Sequence, residues 1–528
     1  MSDAQKAVQA GVMSAVGAIG LATLTSRILG YVRDMVVARA FGAGPVTDAF
    51  FVAFRIPNLL RRLLAEGALS IAIIPVFTEY LTRRDREAFV RMLRAVAGAS
   101  LVTLSAVSAL GVLLAPWIVA GIAPGWGGEA SLLDLAVRLT RLMFPYLLLV
   151  GLSALAMGTL NVHRRFFTAA LGPAVLNVGM ILAVVLMSTR LEPPIVSLAL
   201  GVLAGGLGQL AVQLPEVKRL GLPLVPSAEW SHPAVARIGR LLWPAVLGLA
   251  AVQITVLVNT LLASLLPAGA ISYLYYADRV MEFPLGVFGI ALATAALPSM
   301  ARQAASGEHA GLVATLGFAL RLSAFIAVPA TVGLLALGDP IVRLLFQRGE
   351  FGAAEAMATS QALAGYAVGL PAFSATRLAA QTFYALGDTR TPVRVGFLTL
   401  AVNVAFALLL MEPLRHAGLA LASSLASYAS LLALGWLLRR RLGPLGGAGL
   451  TRSLARTLGA SVPLLLWCLW LHPGAAGTWR SAAWTLGTLG GGAVIYAATA
   501  ALLRAPELTS LLGLLRRRGE NLPSTGSG

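Results

Sequence analysis

Apolar residues run along this chain in long stretches, broken by short clusters of Arg, Asp, Gly and Pro. The stretches predict fourteen helices, at about 8–38, 46–80, 87–122, 131–159, 166–189, 194–218, 233–266, 270–304, 309–336, 354–386, 391–411, 416–441, 450–471 and 480–504. Several exceed the roughly 20 residues one bilayer crossing needs, so tilt or extension beyond the hydrocarbon is expected. The first segment continues through Ser26-Arg27 with no small-residue cleavage site and is read as a span, not a cleaved leader. The expected fold is an all-α integral membrane protein.

Composition agrees. The 528 residues are 58% hydrophobic and 12% charged, with mean hydropathy +0.82, which excludes a soluble globular chain. The +18 net charge would suggest nucleic acid in a soluble protein; here it reports basic loops on one side. On the fourteen-span map, 24 of the 40 Lys and Arg fall on the side of the N-terminus and 6 on the other, the remaining 10 lying within spans. Both termini are therefore expected in the cytoplasm, with no nucleic-acid partner.

The lone Cys468 and the scattered His163, His232, His309, His416 and His472 give no disulfide framework or metal cluster. No phosphate-binding P-loop, H-E-x-x-H helix or grouping of histidine with carboxylates occurs, so no enzyme is expected. No cofactor is expected either. The stretch Leu522-Pro523-Ser524-Thr525-Gly526 looks like a sorting signal but lacks the hydrophobic tail that should follow, and reads as a flexible or appended end.

The two halves echo each other at an offset of 223–226 residues: Ala43-Gly44 with Ala268-Gly269, Pro75 with Pro298, Thr159 with Thr382, and Asn177-Val178 with Asn403-Val404. A repeat of six spans predicts two parallel six-helix lobes, 1–225 and 226–445, with two extra C-terminal helices over 446–510 and a cytoplasmic tail over 511–528. Lobes of this kind usually frame alternating access, with substrate between them.

Ionisable residues within spans carry the functional signal, because each costs at least about 2.5 kcal/mol at the bilayer centre. The first span holds Arg27, Arg33 and Asp34; the second Asp48, Arg55, Arg61, Arg62 and Glu66; the eighth Asp278, Arg279 and Glu282. Asp48, Arg55, Arg62 and Glu66 follow spacings of 7, 7 and 4, one face of an unbroken helix, although Pro57 can shift that register. One reading is a cationic cavity for an anionic group; the other is snorkelling ends and local pairs, such as Arg33 with Asp34 or Arg279 with Glu282. Guanidinium forks suit a diphosphate. The loop Phe346-Gln347-Arg348-Gly349-Glu350-Phe351 is a candidate gate or a solvated turn.

The stretches Ser26-Arg27-Ile28-Leu29-Gly30-Tyr31-Val32-Arg33-Asp34, Phe41-Gly42-Ala43-Gly44, Thr47-Asp48-Ala49-Phe50-Phe51 and Pro57-Asn58-Leu59-Leu60-Arg61-Arg62 strongly resemble the MurJ (MviN) family. So do Tyr275-Tyr276-Ala277-Asp278-Arg279, Met281-Glu282-Phe283-Pro284 and Leu345-Phe346-Gln347-Arg348-Gly349. The resemblance implies a member of the multidrug/oligosaccharidyl-lipid/polysaccharide exporter superfamily. Its expected activity is to flip lipid II, undecaprenyl-diphosphate-MurNAc-pentapeptide-GlcNAc, across the bacterial inner membrane. It places substrate-binding arginines at Arg27, Arg33, Arg61 and Arg279, favouring Arg61 over the Arg62 of the periodicity. The supporting polar set is Asp34, Asp48, Arg55, Arg62, Ser70, Ser272 and Glu282. It further implies a groove for the lipid tail on spans 13 and 14, and sodium coupling at a site these residues do not identify. Expected partners are lipid II, membrane lipids and cell-wall synthesis machinery, with the chain monomeric. The alternatives are another lipid-linked oligosaccharide flippase or a multidrug exporter of the same superfamily; a cavity for cationic drugs would be acidic, not arginine-rich. A polyprenyl-diphosphate enzyme would need a nucleophile or metal-binding acidic pair that the sequence lacks, and a scaffold for cell-wall enzymes would leave the intramembrane charges unexplained.

Overall fold

The computed structural model describes residues 3–63, 69–222, 224–445, 447–471, 479–511 and 513, and among these the regular structure is helical throughout. The Leu522–Gly526 stretch, Glu66 and the Ser70 side chain lie outside what it describes. Seven described helices are long and apolar enough to cross a membrane by themselves. The other sequence-derived spans are shorter, interrupted or charged, and the interruptions have identifiable chemistry.

The chain divides into two compact units: Met1–Ser272 with Arg348–Phe351, and Tyr273–Gln347 with Gly352–Gly528. The first contains α1 (Asp3–Phe41), α2 (Pro45–Arg61), α3 (Leu69–Arg83), α4 (Arg86–Ile122), α5 (Ala130–Met143), α6 (Tyr146–Val162), α7 (Phe166–Ala170), α8 (Gly172–Met187), α9 (Val196–Arg219) and α10 (Pro233–Ser264). Helix α9 packs against α8 and α6, α1 against α8, α2 against α5, and α10 against α3 and α4. Glycines permit the closest of these approaches: a Cβ on Gly205 would lie 2.8 Å from the Leu176 side chain. A core of Ile73, Phe77, Phe89, Leu93, Leu155 and Val217 closes one end of this unit. Away from it, α4 turns Leu113 (68% exposed) and Trp117 (70% exposed) outward, an apolar exterior that suits lipid rather than water.

The second unit carries most of α11 (Ala270–Pro284), then α12 (Ala291–Ala305), α13 (His309–Phe346), α14 (Ala353–Ala385), α15 (Arg390–Leu442), α16 (Gly447–Trp470) and α17 (Trp479–Leu502). Helix α14 packs between α13 and α15, while α16 and α17 pack on each other and on α13. The spans expected at 391–411 and 416–441 are two helices within α15 that meet at Arg415, whose φ of 50° lies outside helical values, two residues after Pro413, and they fold back on each other so that Ser423 Oγ donates to Asn403 Oδ1 at 3.2 Å. The span expected to end near 336 continues to Phe346, because Pro340 is accommodated inside α13.

The expected second span carries a π-type turn. Helix α2 ends at Arg61, a π-type turn occupies Arg62–Leu63, and the chain is helical again from Leu69. Along the face that the regular spacing predicted, Asp48 is buried and Arg62 exposed, and Glu66 lies outside the described residues. In the second unit the eighth span is one continuous helical run, α11 passing through a π-helical turn at Leu285–Ile290 into α12. Pro75 lies inside α3 and Pro298 inside α12.

Candidate functional site

Helix α1 brings Arg33 against α8. Arg33 Nη2 and Nε donate to Asp34 Oδ1 at 2.6 and 3.0 Å, and Nη1 donates to Asn177 Oδ1 at 3.0 Å. Asn177 Nδ2 in turn donates to the Ser26 carbonyl at 3.1 Å. Gly30 faces this amide; even an added Cβ would come to 3.7 Å of Nδ2, so a longer side chain would crowd it. Both charges are buried, Arg33 at 7% and Asp34 at 2% exposure, and the guanidinium is held by two acceptors on different helices. A buried pair of this kind is fixed in place, because removing one partner strands the other charge.

Arg27 differs. It lies six residues earlier on α1, about 240° further round the helix, and is exposed. On α2, Arg55 Nε donates to Thr260 Oγ1 of α10 at 2.9 Å, and Arg61 Nε to Asn58 Oδ1 at 3.1 Å. In the second unit Arg279 Nη1 meets Glu282 Oε2 at 2.9 Å and lies 5.4 Å from the Tyr275 ring centroid, one helical turn back. Both local pairs that the sequence allowed, Arg33–Asp34 and Arg279–Glu282, are formed.

Asp48 and Ser272 come together. The Asp48 carboxylate accepts from the Gly269 amide at 2.6 Å, the Ser272 amide at 2.8 Å and the Ser272 hydroxyl. These donors belong to the turn that opens α11, where orphan amides and the helix dipole favour an anion. Gly269 reaches its place with a φ of 96°, which a glycine adopts without strain. Asp48 thus anchors a helix start. Glu350 N donates to the Arg39 carbonyl at 3.0 Å, so the turn Arg348–Phe351, exposed at Arg348, Gly349 and Glu350 and buried at Phe351, is tethered to the end of α1.

Sequence reasoning did not place Asn177, Thr260, Asn58 or Tyr275 in the site. Asn58 and Tyr275 were detectable, three and four residues before their arginines; Asn177 and Thr260 carried only the weaker signal of a polar group in an apolar span. Among the described residues no group of three or more His, Cys, Asp or Glu could hold a metal ion.

The described helices, with their apolar exteriors and the buried Arg33–Asp34 pair, are those of a multi-pass membrane protein. The family model described as "Lipid II flippase MurJ" matches residues 37–484. The chain is 39% identical over 413 residues to the "Probable lipid II flippase MurJ" of Vibrio cholerae, covering 77% of this chain and 79% of that one. It is 36% identical over 453 residues to the "Lipid II flippase MurJ" of Burkholderia cenocepacia, covering 84% and 88%. A solved structure, "Lipid II flippase MurJ, inward closed conformation", superposes with TM-score 0.78 at 24% identity, covering 92% of this chain and 98% of that one. An inward-facing multidrug resistance MATE transporter of the MOP superfamily shares the fold with TM-score 0.65 at 17% identity, covering 80% and 96%. The chain belongs to the lipid II flippase MurJ family.

Proposed function

We propose that this chain moves lipid II from the cytoplasmic to the periplasmic leaflet of the bacterial inner membrane by alternating access, with Arg27, Arg33, Arg61 and Arg279 receiving the diphosphate. Family membership over residues 37–484 carries the substrate assignment. The arginine assignment rests on the cost of intramembrane charge and on the contrast between a locked Arg33 and an exposed Arg27. Arg33, tied to Asp34 and Asn177, sets the shape of α1 against α8 and contributes fixed positive potential. Arg27 and Arg61 supply guanidinium groups that can turn toward phosphate oxygens, and Arg279 exchanges part of its contact with Glu282 for the anion. Helices α16 and α17 accept the lipid tail. The chain acts as a monomer with both termini in the cytoplasm, works alongside cell-wall synthesis machinery and catalyses no bond change.

The driving force in this reading is electrical. Lipid II carries a diphosphate and peptide carboxylates, and the cytoplasm is negative. Outward movement of two uncompensated negative charges is favoured by roughly 4.6 kcal/mol per 100 mV. Sodium coupling is the companion proposal, its site unassigned. Purified chain in vesicles containing labelled lipid II, clamped at zero or at −100 mV inside, separates these ideas. Flipping that needs the potential supports the electrical step; an unchanged rate at zero potential removes it; no flipping under any gradient overturns the transport reading itself.

A further inference from the structure

At one end of the first unit, the ends of α3, α4, α6 and α9 border an open cavity of about 290 Å³ with no part in the site above. That is roughly ten waters' share of liquid volume, enough for a phosphate with part of its ester. Its polar wall is Arg84, Asp85, Arg86 and His163, and its apolar wall includes Leu81, Phe89 and Leu222. The charges are not spent internally. Arg84 makes no side-chain hydrogen bond or ion pair among the described residues. Arg86 uses Nη2 to hold the carbonyls of Leu220 and Gly221 at 3.1 and 3.4 Å, leaving the other donors of its fork. Gly221 makes that position possible: with φ at +67°, its added Cβ would lie 2.2 Å from Arg86 Nη2.

The nearby anions are already engaged. Asp85 caps α4, accepting from the Ala88 amide at 2.7 Å, and Glu216 is paired with Arg165 and Arg219. The His163 ring has Nδ1 2.8 Å from the Thr159 carbonyl, which assigns the proton to Nδ1. Its other nitrogen, Nε2, then carries a lone pair that can accept from a ligand hydroxyl but not hold a phosphate oxygen. Leu81 at the cavity, and Val225 and Trp230 in the segment that follows Leu222, are exposed, the amphipathic mixture with the basic residues that suits a membrane–water boundary.

We propose that this cavity binds a phosphate ester, gripped by Arg84 and Arg86, with the adjoining ester packed on Leu81 and Phe89. The exposed apolar rim favours the headgroup of an anionic membrane lipid as the source; a water-soluble phosphate ester shares the chemistry.

Full-length chain, delipidated in neutral detergent, tests this with three probes: short-chain phosphatidylglycerol, phosphatidylcholine of the same chain length, and glycerol 3-phosphate, with bound molecules counted by native mass spectrometry. Arg84 holds no other group, so Arg84→Gln should leave the fold intact; Arg390→Gln, in another basic loop, is the control. Expected is one phosphatidylglycerol per chain, bound roughly tenfold more weakly after Arg84→Gln, partly restored in Arg84→Lys and unchanged in Arg390→Gln. Equal, Arg84-dependent binding of glycerol 3-phosphate keeps the phosphate site and assigns its ligand to solution. Phosphatidylcholine bound as well as phosphatidylglycerol, or no dependence on Arg84 for any probe, overturns the proposal.

Discussion

The Tyr496 hydroxyl donates a 2.7 Å hydrogen bond to the backbone carbonyl of Phe325, the carbonyl that Pro329, four residues on, cannot serve with an amide proton. A side chain of α17 thus completes the broken ladder of α13, and the Phe325 and Tyr496 rings lie 5.2 Å apart over the same contact. The device recurs at Pro371 of α14, where Thr331 Oγ1 donates to the freed Ala367 carbonyl at 2.9 Å and Tyr428 takes the adjacent Val368 carbonyl at 3.0 Å. In lipid, where no water can substitute, such partners hold kinked helices together. Tyr496→Phe keeps the ring and strands the carbonyl; a loss of about 1–3 kcal/mol is expected, with Thr331→Val of similar size. Thermal unfolding in detergent should show both variants melting below the parent, and equal melting would assign the contact no energetic weight.

Arg33 and Arg27 should separate stability from transport. Asp34→Ala strands a buried guanidinium and should cost about 3–5 kcal/mol, seen as a lower melting temperature and less folded protein. Arg27→Ala removes an exposed side chain and should leave melting unchanged while abolishing growth complementation. Arg33→Lys keeps the charge but not the fork across Asp34 and Asn177, so it should complement poorly. A complementing Arg27→Ala variant would remove that arginine from the substrate path.

Two left-handed glycines interlock where Arg348–Phe351 meets the end of α1. An added Cβ on Gly349 (φ +59°) would lie 2.3 Å from the Arg39 carbonyl oxygen, and one on Gly42 (φ +66°) 2.6 Å from that of Glu350. Gly349→Ala adds about 1–2 kcal/mol of backbone strain to that clash and should unseat the segment. Limited proteolysis at Arg348 should accelerate in the variant; unaltered cleavage would mean that the segment tolerates displacement without opening.

Asp388, between α14 and α15, is held below the ordinary carboxylate range by the Thr391 amide and hydroxyl, with Arg441 adding its charge. The folded value lies below the unfolded one, so the unfolded chain binds more protons in that window. The contribution is complete above about pH 4 and is lost as pH falls through the folded value. Asp388→Asn should therefore melt below the parent at pH 7, the gap closing under pH 4. A gap that persists in acid would trace the effect to lost hydrogen bonding.

The positions of most spans were legible because a bilayer demands long apolar runs, and the ion pairs were legible where partners lie one to four residues apart, as in Arg33–Asp34 and Arg279–Glu282. The π-turn after Arg61 was not. Pro57 announced a disturbance, but whether it kinks a helix or ends in a π-turn depends on packing that a local window does not contain. Asn177 escaped as a partner of Arg33 for the same reason, since 144 residues separate them and only the packing of α1 on α8 joins them. Asp48 was chosen as a cavity residue from its charge; its three donors in the Gly269–Ser272 turn give it a capping role that tertiary structure alone reveals.

The most direct measurement places lipid II in one leaflet or the other. Cells depleted of their own flippase and supplied with this chain are labelled with a membrane-impermeant enzyme that cleaves only externally exposed lipid II. Expected is exposed lipid II with the parent chain, and accumulation of protected, inner-leaflet lipid II with Arg27→Ala at equal protein levels. Lipid II that stays protected with the parent chain present and folded would contradict the assignment of this chain as the flippase.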